Sequence, residues 1–198
     1  MGVTPVKAGE IGTIVTALEM TTRPSLKLIP PCPLTLIRWK APTVEKYRIL
    51  FTRVGGPWLW FSRLVMSDEK LAGIIHDNAV EIHAVRDPQG VEVGILELDF
   101  RASGECELGY VGLVPELAGQ GHGRWLMAHA LNMAWRKGVV RVWVHTCTLD
   151  HPGALGFYRR SGFTPYQQSI EIFADPRLLG LLPRDVAPHV PLFEISTV

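Results

Sequence analysis

The feature that most constrains this chain is the glycine-rich segment Gly119-Gln120-Gly121-His122-Gly123, which lies at a change of hydrophobic period. Residues 105–114 before it alternate in polarity like a strand, and residues 124–137 after it carry apolar side chains at helical spacing. Glycine permits positive φ angles and close backbone approach to a ligand, and the first turn of a helix has unpaired N–H groups. This order predicts an anion site suited to a pyrophosphate, with Arg124 as a charged donor.

Known phosphate loops differ in what they require around the glycines. A P-loop needs a Lys and then Ser or Thr after its last glycine, and this sequence has neither after Gly123. A dinucleotide fingerprint needs GxGxxG after the first strand of a parallel unit, whereas here the third glycine comes one residue early and follows a meander. An ordinary glycine-rich turn that binds nothing remains an alternative.

The order of predicted elements indicates an α+β or mixed α/β fold. Alternation and turn residues predict strands at 35–40, 80–86, 91–101, 105–114, 139–146 and 163–173. Helical spacing and capping residues predict helices at 43–54, 67–75, 124–137 and 152–161, with Gly138 and Gly162 after the ends of the last two. A helix joins the strands at 105–114 and 139–146, so this crossover predicts a parallel pair.

Length and proline content suggest how the chain is divided. With 198 residues, one domain is expected. Residues 1–33 have weak periodicity and end in a proline cluster, so we interpret them as an N-terminal extension. The domain is then expected over 34–198, with a cofactor core at about 80–173. The tail from residue 174 holds four prolines and is expected to be loop with one short strand.

Composition excludes several classes of protein. A hydrophobic fraction of 47% with 20% charged residues is too apolar for a disordered chain. A net charge of +1 gives no general attraction to nucleic acid or anionic membranes, and no apolar run approaches the roughly 20 residues of a membrane span. The three cysteines form no CxxC pair, and the first twenty residues lack a signal-peptide pattern. We expect a cytoplasmic protein without metal, nucleic acid or membrane partner.

Two motifs resemble those of the GCN5-related N-acetyltransferase (GNAT) family. Gly121-His122-Gly123 is similar to the second half of its acetyl-CoA loop, Q/R-x-x-G-x-G/A, although Ala118 stands where the family has Gln or Arg. The segment 151–163 is similar to its later motif, N-x-x-A-x-x-x-Y followed by x-x-x-G-F. There Ala154, Tyr158, Gly162 and Phe163 match and His151 replaces the Asn. The resemblance covers about residues 34–173.

The resemblance implies a fold and a reaction. The fold is a central, mixed and mostly antiparallel sheet, flanked by helices, with a βαβ crossover at the acetyl-CoA site. The reaction is N-acetyl transfer from acetyl-CoA to a primary amine, by direct attack in a ternary complex. The departures at Ala118 and His151 keep a non-catalytic acyl-CoA-binding or interaction module as an alternative, and a structural domain without a ligand is another.

The same resemblance implies roles for individual residues. A bulged strand, with Gly112 as the expected bulge, would hold pantetheine and the thioester through Val111, Gly112, Leu113 and Val114. The pyrophosphate would lie on Gly119, Gln120, Gly121, His122, Gly123 and Arg124. Tyr158 matches the general acid that protonates the departing thiolate, and Glu107 falls where histone-type members carry the general base.

The chemistry leaves alternatives open at the base and at the acceptor. An ammonium group must lose a proton before it attacks a thioester, and Glu97 and Asp99 are further candidate bases. A nucleophilic Cys147 would imply a ping-pong route. Trp39, Trp58, Trp60 and Phe61 could form an acceptor wall or belong to the core. The acceptor is expected to be a small-molecule or peptide amine. The apolar tail Leu181–Phe193 could support a homodimer or cover its own sheet.

Overall fold

The computed structural model describes residues 2–25 and 28–194, which build a seven-stranded sheet flanked by helices. The strands are β1 (Glu10–Met20), β2 (Thr35–Trp39), β3 (Val80–Arg86), β4 (Glu92–Asp99), β5 (Glu105–Leu113), β6 (Arg141–Cys147) and β7 (Thr164–Ala174). The α-helices are α1 (Val44–Gly55), α2 (Asp68–Ile75), α3 (His122–Ala134) and α4 (Ala154–Ser161). Within the described ranges, no helix has the length and apolar character needed to cross a membrane.

The strand order across the sheet is β2-β3-β4-β5-β6-β1-β7. The β5–β6 pair is parallel, as the helical crossover predicted, and the other described neighbours are antiparallel. Both α1 and α3 contact β4 and β5. Because seven consecutive residues of β4 are buried and strand side chains alternate between faces, the two helices cover opposite faces of the sheet. The mixed, mostly antiparallel fold is therefore confirmed.

Local capping explains where three of the helices begin or end. The Thr43 side chain accepts a hydrogen bond from the Lys46 backbone N–H, and the Ser67 side chain accepts one from Lys70. Both interactions satisfy N–H groups that the first turn of a helix leaves unpaired. Helix α4 ends at Gly162, whose φ of 108° is accessible to glycine at little cost. These ends lie within about one residue of the predicted ones.

Helix α3 differs from the prediction at both ends. It begins at His122 rather than at residue 124, because Gly121 takes a left-handed conformation (φ 83°) and releases the chain into the helix. It ends at Ala134, three residues early, where Trp135 leaves helical geometry and packs into the core. Gly138 does have a positive φ, but it lies in the turn that leads to β6 rather than at the helix end.

The segment expected as an N-terminal extension contains a strand of the sheet. Strand β1 lies between β6 and β7 and pairs with both. Glu19 on β1 forms an ion pair with Arg141 on the neighbouring strand (2.7 Å). The proline cluster at 30–33 follows β1 and separates it from β2, so it marks a connection and not the start of the folded region.

The described part of the tail, residues 175–194, contains no strand, in contrast to the prediction. It is held by a buried ion pair between Asp175 and Arg177 (2.8 Å). The Arg177 guanidinium also donates hydrogen bonds to the carbonyls of Val186, Ala187 and Val190. This cation therefore organises a turn-rich cover without regular structure.

A second buried charge lies in the centre of the sheet. The Glu97 carboxylate on β4 is fully buried and accepts hydrogen bonds from the Tyr47 hydroxyl (2.5 Å) and from the Arg63 guanidinium (2.5 Å). Tyr47 lies on α1 and Arg63 in the loop between α1 and α2, so the three groups tie this helical layer to the sheet. A carboxylate in this position is stable only while its partners remain.

This arrangement predicts that Arg63→Met lowers the free energy of unfolding by about 3–5 kcal/mol, because Glu97 would stay buried without its cation. Urea unfolding followed by circular dichroism measures the change. The matched control is Arg184→Met, which breaks an exposed pair with Glu194 and should cost less than about 1 kcal/mol. Equal losses of unfolding free energy in the two variants would show that the Arg63–Glu97 pair contributes no more to stability than the exposed Arg184–Glu194 pair.

Candidate functional site

A cavity of about 580 Å³ opens where β5 and β6 separate. These two strands pair only from Glu105 opposite Arg141 to Glu107 opposite Trp143. Beyond that point β5 stays paired with β4, while β6 stays paired with β1. The edge of β5 that faces the gap is therefore left with free backbone N–H and C=O groups, which can pair with an inserted ligand.

A β-bulge in β5 coincides with this separation. The register with β4 shifts between Leu98 opposite Leu108 and Glu97 opposite Tyr110, so Gly109 is the extra residue. The prediction of a bulge at Gly112 was wrong. A Cβ atom on Gly109 would come within 3.2 Å of Glu97 Oε1, so the missing side chain leaves room for the buried carboxylate.

Gly112 is required for a different reason. A Cβ atom at this position would lie 2.7 Å from Val54 Cγ1 and 3.1 Å from the Trp60 ring. The glycine therefore allows α1 and Trp60 to pack directly on β5. Among the predicted thioester and pantetheine contacts, all four line the cavity: Val111, Gly112, Leu113 and Val114.

The glycine loop forms one end of the cavity. Gly119 and Gly121 both have positive φ angles, 75° and 83°, and no side chain caps the N-terminus of α3. Gly119, Gly121, Gly123 and Arg124 line the cavity. The first-turn N–H groups and the helix dipole favour an anion at this end.

Two predicted loop residues face elsewhere. The Gln120 amide donates a hydrogen bond to the Glu116 carbonyl, and His122 Nδ1 lies 3.2 Å from Cys32 Sγ. Neither side chain is among those that line the cavity. Arg160 on α4 does line it, and neither Arg160 nor Arg124 has an ion-pair partner among the described residues.

Tyr158 projects from α4 into the cavity wall. Its ring packs edge-on against Phe163 with centroids 6.0 Å apart, and only 8% of the residue is exposed. Burial raises the pKa of Tyr158 well above its ordinary value, and the nearby Asp150 carboxylate acts in the same direction. The hydroxyl therefore stays protonated at neutral pH and is available as a proton donor.

The three candidate carboxylates differ sharply in their surroundings. Glu97 is buried and engaged by Arg63 and Tyr47. Asp99 is held by the Arg101 guanidinium, which lowers the pKa of Asp99 despite its partial burial. Glu107 is partly exposed and has no arginine or lysine partner in the described residues; His145 Nδ1 lies 3.6 Å from its Oε1. Of the three candidate carboxylates, Glu107 is thus the one without a cationic arginine or lysine partner in the described residues, although it does not itself line the cavity.

Aromatic side chains surround the other end of the cavity. Trp58, Trp60 and Phe61 line it, as the predicted acceptor wall requires, and Phe61 stacks on Phe173 of β7 with centroids 4.2 Å apart. Trp39 belongs instead to the core and donates a hydrogen bond to Glu92.

Asp150 joins the aromatic wall to the end of β6. Its carboxylate accepts hydrogen bonds from the Trp60 indole (3.1 Å), the Thr146 hydroxyl (2.6 Å) and the Cys147 backbone N–H (3.0 Å). The carboxylate is therefore saturated with structural bonds and positions Trp60 at the cavity.

The structure gives no indication of a chemical role for two further residues, His151 and Cys147. His151 Nδ1 accepts a hydrogen bond from the Gly153 N–H at the start of α4, and its ring meets Trp58 edge-on. Cys147 lines the cavity, but burial raises the pKa of its thiol, so the thiolate is disfavoured. No three His, Cys, Asp or Glu side chains cluster as metal ligands in the ranges that the structure describes.

Sequence reasoning missed several residues of the cavity. Thr13 and Val15 come from β1, Glu171 and Phe173 from β7, and His145 from β6. The alternation of β6 could have placed His145 on one face with Cys147, but no local signal indicated that β1 and β7 would lie beside it.

Comparison with solved structures shows the fold. A GCN5-related N-acetyltransferase from Sphaerobacter thermophilus is 17% identical with a TM-score of 0.56, over 98% of this chain and 56% of that one. One from Kribbella flavida is 20% identical with a TM-score of 0.52, over 87% and 63%. A dodecameric spermidine N-acetyltransferase from Vibrio cholerae is 20% identical with a TM-score of 0.52, over 77% and 98%.

The similarity to the first two of these structures covers only part of their length. This chain spans less than two thirds of the S. thermophilus and K. flavida proteins. No curated protein matches it.

Comparison with family models gives one match, to the acetyltransferase (GNAT) family, over residues 37–163. The matched range begins within β2 and ends at Phe163, two residues after α4, so it includes the glycine loop, the parallel crossover and Tyr158. It covers well over half of the chain, and the chain therefore belongs to the GNAT acetyltransferase family.

Proposed function

We propose that the protein transfers an acetyl group from acetyl-CoA to a primary amine by direct attack in a ternary complex. The observation that carries this proposal is the continuity of the cavity. It runs from the N-terminus of α3 along the free edge of β5 to the Tyr158 hydroxyl and the aromatic wall. One ligand with an anionic end and a thioester end would place both where complementary groups lie.

The pyrophosphate is assigned to the loop that begins with Gly119 and ends in α3. Its glycines bring backbone N–H groups to the surface, and the uncapped first turn needs acceptors. Arg124 and Arg160 would add two guanidinium groups without competing carboxylates among the described residues. We propose that the Arg160 guanidinium replaces the Gln or Arg side chain that the family has at the position of Ala118. The backbone N–H donors of the loop do not depend on the side chain at position 118.

Pantetheine and the thioester are assigned to β5 beyond the point at which β6 leaves it. Val111 and Leu113 have backbone groups facing the gap, and pantetheine amides can pair with them as a neighbouring strand would. A backbone N–H close to Leu113 would polarise the thioester carbonyl, and such a preorganised donor stabilises the charge that develops on attack.

The acid and the base are assigned to opposite sides of the thioester. Tyr158 donates its proton to the departing CoA thiolate, in keeping with its place in the cavity wall. The amine proton leaves at the Glu107 side, since Glu97 and Asp99 are committed to arginines.

The acceptor is proposed to be a primary amine that enters between Trp58, Phe61 and Phe173. Glu171 also lines this end and would attract an ammonium group. The V. cholerae proteins of similar fold are named as spermidine N-acetyltransferases, so spermidine is a sensible first acceptor to assay, beside peptides with a free lysine.

The cofactor assignment predicts that Gly121→Glu abolishes acetyl-CoA binding measured by isothermal titration calorimetry. The variant adds a negative charge at the phosphate site and strains a backbone with φ 83°. Gly90→Glu is the matched control, because Gly90 has φ 84°, has open space around it and lies in the β3–β4 turn away from the cavity.

We expect saturable binding to the wild-type protein and to Gly90→Glu, with a loss of at least about 100-fold in Gly121→Glu, equal to about 2.7 kcal/mol. Unaltered binding by Gly121→Glu would move the phosphate site elsewhere. A wild-type protein that binds no acetyl-CoA would contradict the enzyme assignment and would favour a non-catalytic interaction module.

The acid assignment predicts that Tyr158→Phe lowers kcat by about 100-fold or more while acetyl-CoA affinity changes less than about threefold. Only the hydroxyl is removed, so the packing against Phe163 is retained. Thiol release from CoA measures turnover. Tyr166→Phe on the exposed edge strand β7 is the control and should retain full turnover. Equal kcat values for Tyr158→Phe and wild type would exclude Tyr158 as the acid.

A further inference from the structure

His145 occupies the cavity position that Glu107 does not reach. It lies on β6 two residues beyond Trp143, the last residue paired with β5, and on the same face of the strand. Its half-exposed side chain lines the cavity, whereas Glu107 lies behind it. An amine bound in the cavity would therefore meet the imidazole before the carboxylate.

The Glu107 carboxylate lies beside the imidazole ring of His145. His145 Nδ1 lies 3.6 Å from Glu107 Oε1, and Nε2 has no hydrogen-bond partner among the described residues. A carboxylate on one side of the ring favours the tautomer with the proton on Nδ1, which leaves the Nε2 lone pair open.

The charged groups that face His145 are all acidic. Glu107 comes from β5, Asp150 from the turn after β6 and Glu171 from β7; the β1 residue opposite is Ala17, which does not titrate. Contact with Glu107 raises the pKa of His145 above its ordinary value, and the other two carboxylates add to this, while desolvation opposes it.

We propose that His145 Nε2 takes the proton from the acceptor ammonium group and that Glu107 is a positioning residue that holds His145 and stabilises the imidazolium. This inference rests on the proposed function. The neutral amine then attacks the thioester carbonyl; a C–N bond forms and the C–S bond breaks. The thiolate takes the Tyr158 proton, and the nitrogen's second proton restores that hydroxyl. His145 releases its proton to solvent through its exposed side, so one proton is produced per turnover.

The pH dependence of kcat/KM separates the two possible bases. If His145 is the base, the wild-type profile rises through the His145 pKa. Glu107→Gln should then shift this limb to lower pH, because the main group that raises the pKa is gone, and activity should persist above the limb. His145→Gln should remove the limb and lower kcat by about 100-fold or more. If Glu107 were itself the base, Glu107→Gln would lose the limb and His145→Gln would keep it.

Two measurements guard against a merely structural effect. An NMR titration of the His145 ring, which needs no acceptor, should show a pKa above 6.5 in the wild type and a lower one in Glu107→Gln. Added imidazole should restore part of the activity of His145→Ala, since the side chain borders an open cavity. His76→Gln serves as the matched control because His76 is exposed and far from the cavity lining.

The outcomes separate this inference from the proposed function. Thiol release assayed with spermidine and a lysine peptide, together with acetyl-CoA titration, establishes the reaction in the wild type. An active wild type with an active, pH-dependent His145→Gln variant overturns the role of His145 alone. A wild type without acetyl transfer to either acceptor overturns both. Retained acetyl-CoA binding by His145→Gln, with lost turnover and imidazole rescue of His145→Ala, supports the assignment.

Discussion

The buried Glu97 carboxylate is the interaction on which the site depends. Its partners Tyr47 and Arg63 fasten the α1 side of the molecule to β4, and its oxygen occupies the space that Gly109 leaves on β5. The β-bulge lies at this same glycine, and β5 stops pairing with β6 two residues earlier. A bulge bends its strand, so a charge buried for structural reasons accompanies the opening in which the cavity lies.

Pairing with arginine also distinguishes the candidate carboxylates from one another. Carboxylates that bind arginine, such as Glu97 and Asp99, have oxygens already occupied by hydrogen bonds, so they are poorly placed to take a proton from a substrate. Glu107 faces an imidazole instead, in a part of the sheet where β5 and β6 have begun to separate. The proposed acid and base lie on different elements, Tyr158 on α4 and His145 on β6, and both line the cavity.

Much of the framework could be predicted because it depends on residues close together in sequence. Thr43 and Ser67 cap their own helices, and Gly162 ends α4 through its own left-handed backbone. The parallel β5–β6 crossover follows from an intervening helix, and the glycine loop follows from its own composition. The bulge was misplaced at Gly112, because both positions are glycines on one strand and only their neighbours, Glu97 and Trp60, distinguish them.

Local sequence patterns were enough to specify the helices with their caps, the strand–loop–helix unit at Gly121 and the two motifs typical of the family. Three features depend on the assembled fold: β1 enters the sheet between β6 and β7, Glu97 pairs with Arg63, and His145 lines the cavity beside Glu107. The physical reason is that these contacts join residues far apart in the sequence. Val15 pairs with Cys147, far away in the chain, and such a contact depends on which edge of the sheet remains to be covered, a property of the assembled fold that no local pattern encodes.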